Sequence, residues 1–198
     1  MVHSEFPLER LAQLASNPFQ IGFARQVMRM LDPSHLIAYE AAQDGLLMRA
    51  QNEEALARPV ALLRDVYGDD LVLLPPQVRY MSLGNRPYEP IMLLRVRIAP
   101  RHREAVLGEF AERDVQLLEE HERPSVCVLR AEAPLRKLLG YGEALAKLTD
   151  GTGLHWVWLD RYIPMSDPPG GQRTSTVPTG AFRNGMMSGS WLAIVLML

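Results

Sequence analysis

The sequence predicts an α+β fold built from two tandem ferredoxin-like domains, each with the element order β-α-β-β-α-β. Two observations lead to this prediction. Apolar residues at helical spacing alternate with short apolar runs, and the same order of elements occurs in each half of the chain. A short, polar and turn-rich segment from Ser82 to Pro87 separates the halves. We therefore predict domains at residues 1–81 and 88–165, followed by a low-complexity tail.

The first predicted domain opens around Leu8 with a segment that fits either a strand or a helical turn. Asn17 can cap the helix that follows, Pro18 suits its first position, and Pro33 disfavours its continuation. A turn at residues 43–45 separates two strands. The first helix is defined by Phe19, Phe23, Val27, Met30 and Leu31, and the two strands are residues 36–39 and 46–48. The second helix is defined by Leu56, Val60, Leu63 and Tyr67, and the last strand is residues 71–74.

Pro59 falls inside the pattern of the second helix, where its missing N–H and its ring interfere with helical hydrogen bonding. We expect it either to kink that helix or to move its start to about Arg58. Gly68 follows the last apolar residue and is expected to end the helix.

The second predicted domain repeats the order in the residues after Pro87. Its expected elements are a strand at 91–98, a helix at 102–113, strands at 115–118 and 126–129, a helix from Leu138 to Leu148 and a strand at 154–162. Between the last helix and strand lies the turn Asp150 to Gly153. Either Gly151 or Gly153 can take the left-handed conformation that ends a helix.

The tail, residues 166–198, is rich in proline, glycine, serine and threonine, so we expect it to be flexible. It closes with eight apolar residues, Trp191 to Leu198, which are too few to span a bilayer. We favour a neutral or self-associating end over a membrane anchor. The amino-terminal residues show no signal-peptide pattern, and we expect a cytoplasmic protein without membrane partners.

Composition narrows the chemistry. The chain has 198 residues and a formal net charge of −2, so a strongly basic nucleic-acid binder is disfavoured, although a local basic face is compatible with that average. Cys127 is the only cysteine, which excludes an intramolecular disulfide and a thiolate-rich metal site. Because Val126 and Val128 alternate with it, we expect a buried and unreactive thiol.

Several stretches together resemble the elongation factor G family. Residues 88–100, YEPIMLLRVRIAP, are similar to the start of its domain V, and residues 138–153, LLGYGEALAKLTDGTG, with the strand ending at Tyr162, resemble that domain's second helix and closing strand. Domain III is similar to the first half, through Met30 to Pro33, Asp44-Gly45, Val66-Tyr67 and PPQVRY at residues 75–80. The match runs from Asn17 to Met165, and both family domains are ferredoxin-like.

Parts of that family are missing from the sequence. The 198 residues hold no GxxxxGK[ST] loop, so they offer no nucleotide-phosphate cradle of the kind that a GTPase needs. Nothing corresponds to domain II, and residues 81–87 stand where the family inserts domain IV, the arm used in translocation. The family also has a glycine-rich turn before the second helix of domain III, and residues 50–54 lack glycine.

The resemblance implies a binding surface for ribosomal RNA and the stalk base, near the sarcin–ricin loop. Our candidate nucleic-acid-binding residues are Arg95, Arg97, Arg101, His102, Arg103 and Arg130. Arg101 and Arg103 flank His102 at a helix start, where guanidinium and free N–H groups could bind phosphate. Arg95 and Arg97 share a strand face, with Arg130 expected nearby. For all six, an ordinary charged surface is the alternative.

Trp156 and Trp158 share the other candidate surface, since alternate strand residues point the same way. They could stack on bases, but we favour packing beneath a helix or against the neighbouring domain. His121 lies among Glu119, Glu120 and Glu122, which we interpret as a solvated turn at a strand end and not as a metal site.

The sequence therefore predicts a non-catalytic, translation-factor-like protein that binds the ribosome or its RNA at the elongation-factor site. We find no catalytic constellation and expect no cofactor or metal. The alternatives are a ferredoxin-like scaffold reused for protein or small-molecule binding, and a remnant of a longer factor without activity of its own. A continuous basic face would favour RNA, whereas scattered arginines beside an apolar groove between the domains would favour the scaffold.

Overall fold

The structure is a computed structural model that describes residues 6–84 and 86–165. Within them, two antiparallel sheets carry helices packed against them, which confirms the predicted α+β class and the two ferredoxin-like domains. The predicted tail, with its expected flexibility and self-association, lies outside the described residues. No helix among the described residues has the length and apolar character needed to cross a membrane.

The first domain consists of β1 (Leu8–Leu14), α1 (Gln20–Val27), β2 (Ile37–Ala42), β3 (Gly45–Ala50), α2 (Glu53–Tyr67), β4 (Leu71–Leu73) and β5 (Gln77–Val78). Its sheet has the strand order β2-β3-β1-β4, with β5 pairing to β1 beside β4. This is the order that a β-α-β-β-α-β chain gives when each helix crosses over the sheet.

The hairpin between β2 and β3 depends on Gly45. Its φ of +141° is one that residues with a Cβ rarely adopt, and a Cβ there would overlap the carbonyl oxygen of Ala12 in β1. The glycine therefore permits both the turn and the close approach of the neighbouring strand. The predicted turn at residues 43–45 is confirmed.

The two helices of this domain begin where the sequence patterns did not place them. Asn17 accepts a hydrogen bond from the N–H of Phe19 at 2.8 Å, but α1 begins at Gln20, and Pro18 and the exposed Phe19 lie before it. Helix α2 begins at Glu53 because Asn52 caps it, so of our two alternatives for Pro59 the moved start at Arg58 was wrong, and the kink stays a prediction. Pro59 sits buried within the helix.

The second domain consists of β6 (Met81–Leu83), β7 (Arg86–Ile98), α3 (Arg103–Glu112), β8 (Gln116–Arg123), β9 (Val126–Pro134), α4 (Leu135–Leu138), α5 (Tyr141–Leu148) and β10 (Leu154–Pro164). Its sheet has the order β10-β7-β9-β8, and β6 also pairs with β7. The strands are therefore arranged as in the first sheet.

The segment that we expected to separate the domains belongs to the second sheet. Strand β6 pairs with β7 from Met81↔Tyr88 to Leu83↔Arg86. The chain leaves the first sheet after Val78, so only two residues connect the sheets. The domain bounds at 1–81 and 88–165 stay a prediction, since strand membership alone does not define a folding unit.

The helix predicted from Leu138 is instead two helices, because Gly140 takes a left-handed conformation with φ +73° between α4 and α5. In the turn after α5, Gly151 is the glycine that takes the predicted left-handed conformation. Gly151 has φ +73° and its N–H donates to the carbonyl of Ala146 at 2.8 Å. Gly153 has a different role, since a Cβ there would lie 2.7 Å from Oγ1 of Thr149.

The buried apolar residues of both domains form a single contiguous core. In the second sheet the helix-covered side of β7 contributes Met92, Leu94, Val96 and Ile98. Cys127 of β9 is completely buried on the same side, as expected, and burial raises the pKa of its thiol. Continuity of the core means that the two domains pack on each other and do not hang from a free linker.

Candidate nucleic-acid interface

The second sheet has one face covered by helices and one face open to solvent. The residues of β7 alternate between the two faces, because Leu94 and Val96 are buried whereas Arg95 and Arg97, which follow them, are exposed. The solvent-facing side of this sheet is lined by the exposed side chains of β7 and of its neighbouring strands. We call it the open face.

Strand register brings three of the predicted residues together on the open face. Arg95 lies between Trp156 of β10 and Arg130 of β9, which are its direct partners across the strands. Arg97 lies between Leu154 and Val128. The prediction that Arg130 lies near Arg95 and Arg97 thus agrees with the register, although no binding follows from position alone.

Ion pairs leave an uneven charge across this face. Arg130 pairs with Glu119 at 2.9 Å, and Arg161 holds Glu132 through two contacts of 3.0 and 3.1 Å. No carboxylate among the described residues forms an ion pair with Arg95 or Arg97. The uncompensated positive charge is therefore concentrated on β7, at the centre of the sheet.

The guanidinium carbon of Arg95 lies 5.9 Å from the ring centroid of Trp156, within the range of a cation–π contact. Trp156 is 45% exposed and Trp158 38% exposed. Our expectation that a helix or the neighbouring domain covers these indoles was wrong, because the helices pack on the other face, where His155 and Val157 point. The alternation in the sequence indicated that the strand has two faces, but it did not indicate which face the helices cover.

Arg101 and His102 lie at the edge of the same region. Nε of Arg101 is 3.0 Å from Nε2 of His102, and Arg101 and Arg97 line a shallow cavity of about 350 Å³ with Ser125 and Thr152. The N–H of His102 already donates to the carbonyl of Ala99 at 3.0 Å. Fewer helix-end donors are therefore free than the sequence interpretation assumed.

Arg103 is separated from the other predicted arginines. It contacts Glu120, whose register partner Leu129 is buried on the helix side of the sheet, and it also contacts Glu104. Hydrogen bonding to Glu120 raises the pKa of Arg103, and the same bond lowers the pKa of the Glu120 carboxyl. Of our six candidates, Arg103 is the one whose charge is most fully engaged within the protein.

The acidic run around His121 is strand and not turn. Glu119 and His121 point to the open face and Glu120 and Glu122 to the helix side, so the carboxylates are divided between two surfaces. No cluster of three or more potential metal ligands occurs among the residues that the structure describes.

A second candidate region lies where the two domains meet. Three consecutive residues at the start of α2 reach the second domain. Nδ2 of Asn52 donates to the carbonyl of Val157 at 2.7 Å, Glu53 accepts from the N–H of Gly140 at 2.7 Å, and Oε1 of Glu54 lies 2.8 Å from Nε2 of His155.

These contacts border a cavity of about 310 Å³ between the domains. Its apolar lining includes Leu56, Val60, Leu138 and the almost fully buried Tyr141, whose ring packs edge-on against His155 with 5.6 Å between centroids. Sequence reasoning missed this region. An asparagine followed by two glutamates is typical of a helix start and could have located the first turn of α2. The local sequence does not predict which residues of the second domain this turn contacts.

Comparisons with known proteins address the resemblance. Residues 86–172 match the family model described as "Elongation factor G C-terminus". The ribosome-releasing factor 2, mitochondrial, of Danio rerio is 30% identical over 83 residues, which is 42% of this chain and 11% of that protein. The chain thus spans only a small part of this relative.

A crystal structure of a Thermus thermophilus protein shares the fold over 82% of this chain and 41% of that chain, with a TM-score of 0.58 and 15% sequence identity. This match extends beyond the second domain, since that domain is less than half of the chain. The resemblance to elongation factor G that the sequence motifs predicted is confirmed for the second domain.

Proposed function

We propose that this chain, whose residues 86–172 match the family model of the elongation factor G C-terminus, is a non-enzymatic translation-factor-like protein that binds the ribosome at the elongation-factor site. The relative from Danio rerio is named for ribosome release, which supports a ribosomal partner for the segment of 83 residues that the two proteins share. The GxxxxGK[ST] motif does not occur in the sequence, so we assign the chain a binding role and no GTPase activity.

The observation that carries the proposal is the uncompensated charge of Arg95 and Arg97 on the open face. Binding to ribosomal RNA is driven by lysine and arginine side chains that displace counterions from phosphates. Arginines already held by carboxylates contribute less, because a carboxylate partner must be displaced first. Arg97 and Arg101 extend the positive region toward the end of β7.

Sedimentation through a sucrose gradient tests the proposal. We expect the protein to co-migrate with ribosomes or with one subunit at low salt and to dissociate as salt is raised. The double variant Arg95→Gln/Arg97→Gln should bind more weakly. A matched control, Arg25→Gln/Arg29→Gln, removes the same charge from the exposed side of the first domain near α1 and should behave as the unmodified protein. Failure of the unmodified protein to co-migrate at low salt would contradict the proposal.

The cavity between the domains supports a second candidate function, a scaffold that binds a small molecule or a peptide. Its volume of about 310 Å³ is at the lower end for a ligand site, and its lining is mostly apolar with Arg10, Glu54 and His155 at its border. Leu56→Trp would fill this cavity. Unchanged ribosome binding by a folded Leu56→Trp variant would separate the cavity from the ribosomal role, whereas loss of ribosome binding would link the cavity to that role and count against a separate scaffold function.

A further inference from the structure

We propose that the open face stacks unpaired RNA bases on Trp156 and Trp158, while Arg95 and Arg97 bind the adjoining phosphates. This inference rests on the proposed ribosomal function and names the part of RNA that the surface recognises. We call these four residues the stacking platform.

The geometry of the two tryptophans suits separate bases. They are two residues apart on β10 and point to the same side, so strand rise places them about 7 Å from each other. Both indoles are more than one-third exposed, and no helix covers this side of the sheet within the described residues. Each indole therefore has exposed surface that a base can contact, and in Trp156 this surface lies beside the guanidinium of Arg95.

Charge determines the kind of partner. The neighbouring carboxylates are engaged in ion pairs, because Arg130 pairs with Glu119 and Arg161 pairs with both Glu132 and Asp160. Arg95 lies directly opposite Trp156, and Arg97 is one alternation further along the same strand. A phosphate beside one of these indoles would therefore meet the positive charge of Arg95 or Arg97 and, among the described residues, no unpaired carboxylate. A nucleotide requires this combination of an aromatic surface and positive charge.

Unpaired RNA fits this arrangement better than duplex RNA or an acidic protein. Bases inside a duplex are stacked on one another and cannot lie against an indole, whereas bases in loops and single strands can. An acidic protein surface would use the arginines but would have no need for two exposed indoles beside them. The combination on one sheet therefore favours single-stranded RNA.

The test uses a labelled single-stranded RNA of about ten nucleotides, long enough to span a single-strand binding groove, and the same RNA annealed to its complement. Fluorescence anisotropy at low salt measures binding. We expect the single strand to bind at least about tenfold more tightly than the duplex, and Trp156→Ala and Trp158→Ala should each weaken binding about tenfold or more. Arg95→Gln should weaken binding and reduce the salt dependence by about one counterion.

Phe19→Ala provides the matched control, since Phe19 is an exposed aromatic residue of the first domain, 76% exposed, and far from the platform in sequence. It should bind RNA as the unmodified protein does. Both tryptophan variants should also remain folded, shown by a cooperative thermal unfolding transition, because the indoles lie outside the helix-covered core. In a Trp191→Phe background, fluorescence of the two remaining tryptophans should be quenched as RNA is added.

The outcomes separate this inference from the proposed function. Equal affinity for single strand and duplex, or equal loss in Trp156→Ala and Phe19→Ala, would overturn the stacking platform. Ribosome co-migration that persists unchanged in Trp156→Ala would also overturn it while leaving ribosome binding intact. Loss of ribosome binding in Trp156→Ala without any single-strand binding would show that the face docks a ribosomal protein, and the inference would be wrong. Absence of ribosome binding by the unmodified protein counts against the proposed function, and the RNA measurement then judges the platform alone.

Discussion

Nε2 of His155 lies 2.8 Å from Oε1 of Glu54, and this pair joins the last strand of the second domain to the second helix of the first. Asn52 and Glu53 make their own hydrogen bonds to the second domain beside it. One turn at the start of α2 therefore carries three polar contacts between the domains. These contacts anchor residues 52–54 against the second domain.

Asn52 serves both the helix and the domain contact. Asn52→Ala removes the cap to the N–H of Ala55 and the bond to Val157, and should destabilise the protein by about 2 kcal/mol. Asn52→Ser keeps a capping hydroxyl but is too short to reach Val157, so about half of the loss should return. Urea unfolding measures both variants. Equal stability of the Ser and Ala variants would show that the cap contributes nothing here.

Gly45 is predicted to be intolerant of any side chain. Gly45→Ala should cost about 3 kcal/mol or more, because the backbone is in a region reserved for glycine and the added Cβ overlaps the Ala12 carbonyl. Gly108→Ala is the matched control. Gly108 lies in α3 with open space around it, so alanine should stabilise the helix by about 0.5–1 kcal/mol. Thermal unfolding of both variants measures whether Gly45→Ala lowers and Gly108→Ala raises the stability of the protein.

Glu120 should contribute to acid sensitivity. Its pKa is lowered in the folded state by Arg103, so its contribution to stability is present above the unfolded pKa of about 4.3 and is lost as pH falls through the folded value. Glu120→Gln should therefore reduce stability near neutral pH and flatten the decline between about pH 5 and 3. Glu112→Gln, an exposed substitution on α3, should leave the profile unchanged. The free energy of unfolding of the unmodified protein and of both variants, measured across this pH range, tests the prediction.

Cys127 should be unreactive while the protein is folded. Its side chain is fully buried and burial raises the pKa of the thiol, whereas thiol reagents attack the thiolate. A disulfide-exchange reagent at about pH 8, near the ordinary thiol pKa, should therefore label the protein only after denaturant is added. Since the chain has one cysteine, the signal belongs to that residue alone. Rapid labelling of one thiol per chain without denaturant would contradict the burial described.

The order of the elements could be read from the sequence because periodicity reports which residues share a face. The strands β8 and β9 were expected to be shorter than they are. Residues 119–123 are all charged or titratable, so they lack the alternation that marks a half-buried strand, and only pairing with β9 reveals them as one. Gly140 divides a helix that its apolar spacing had presented as continuous.

The candidate site was less predictable than the fold. Alternation placed Arg95 and Arg97 on one face and the two tryptophans on another strand, but the register that joins them depends on long-range pairing. The same limit applies to Arg103, whose ion pair with Glu120 spans seventeen residues. Contacts between domains, such as that of Asn52 with Val157, have no local signature at all.

Arg95 and Arg130 stand directly opposite each other on adjacent antiparallel strands, where like charges repel. Glu119 pairs with Arg130 at 2.9 Å and offsets much of this repulsion, so Arg95 is the member of the pair whose charge stays uncompensated. If the proposed anionic partner binds beside Arg95 in the folded protein alone, its binding free energy adds to the stability of the fold by mass action. The thermal unfolding midpoint would then rise with the concentration of that partner.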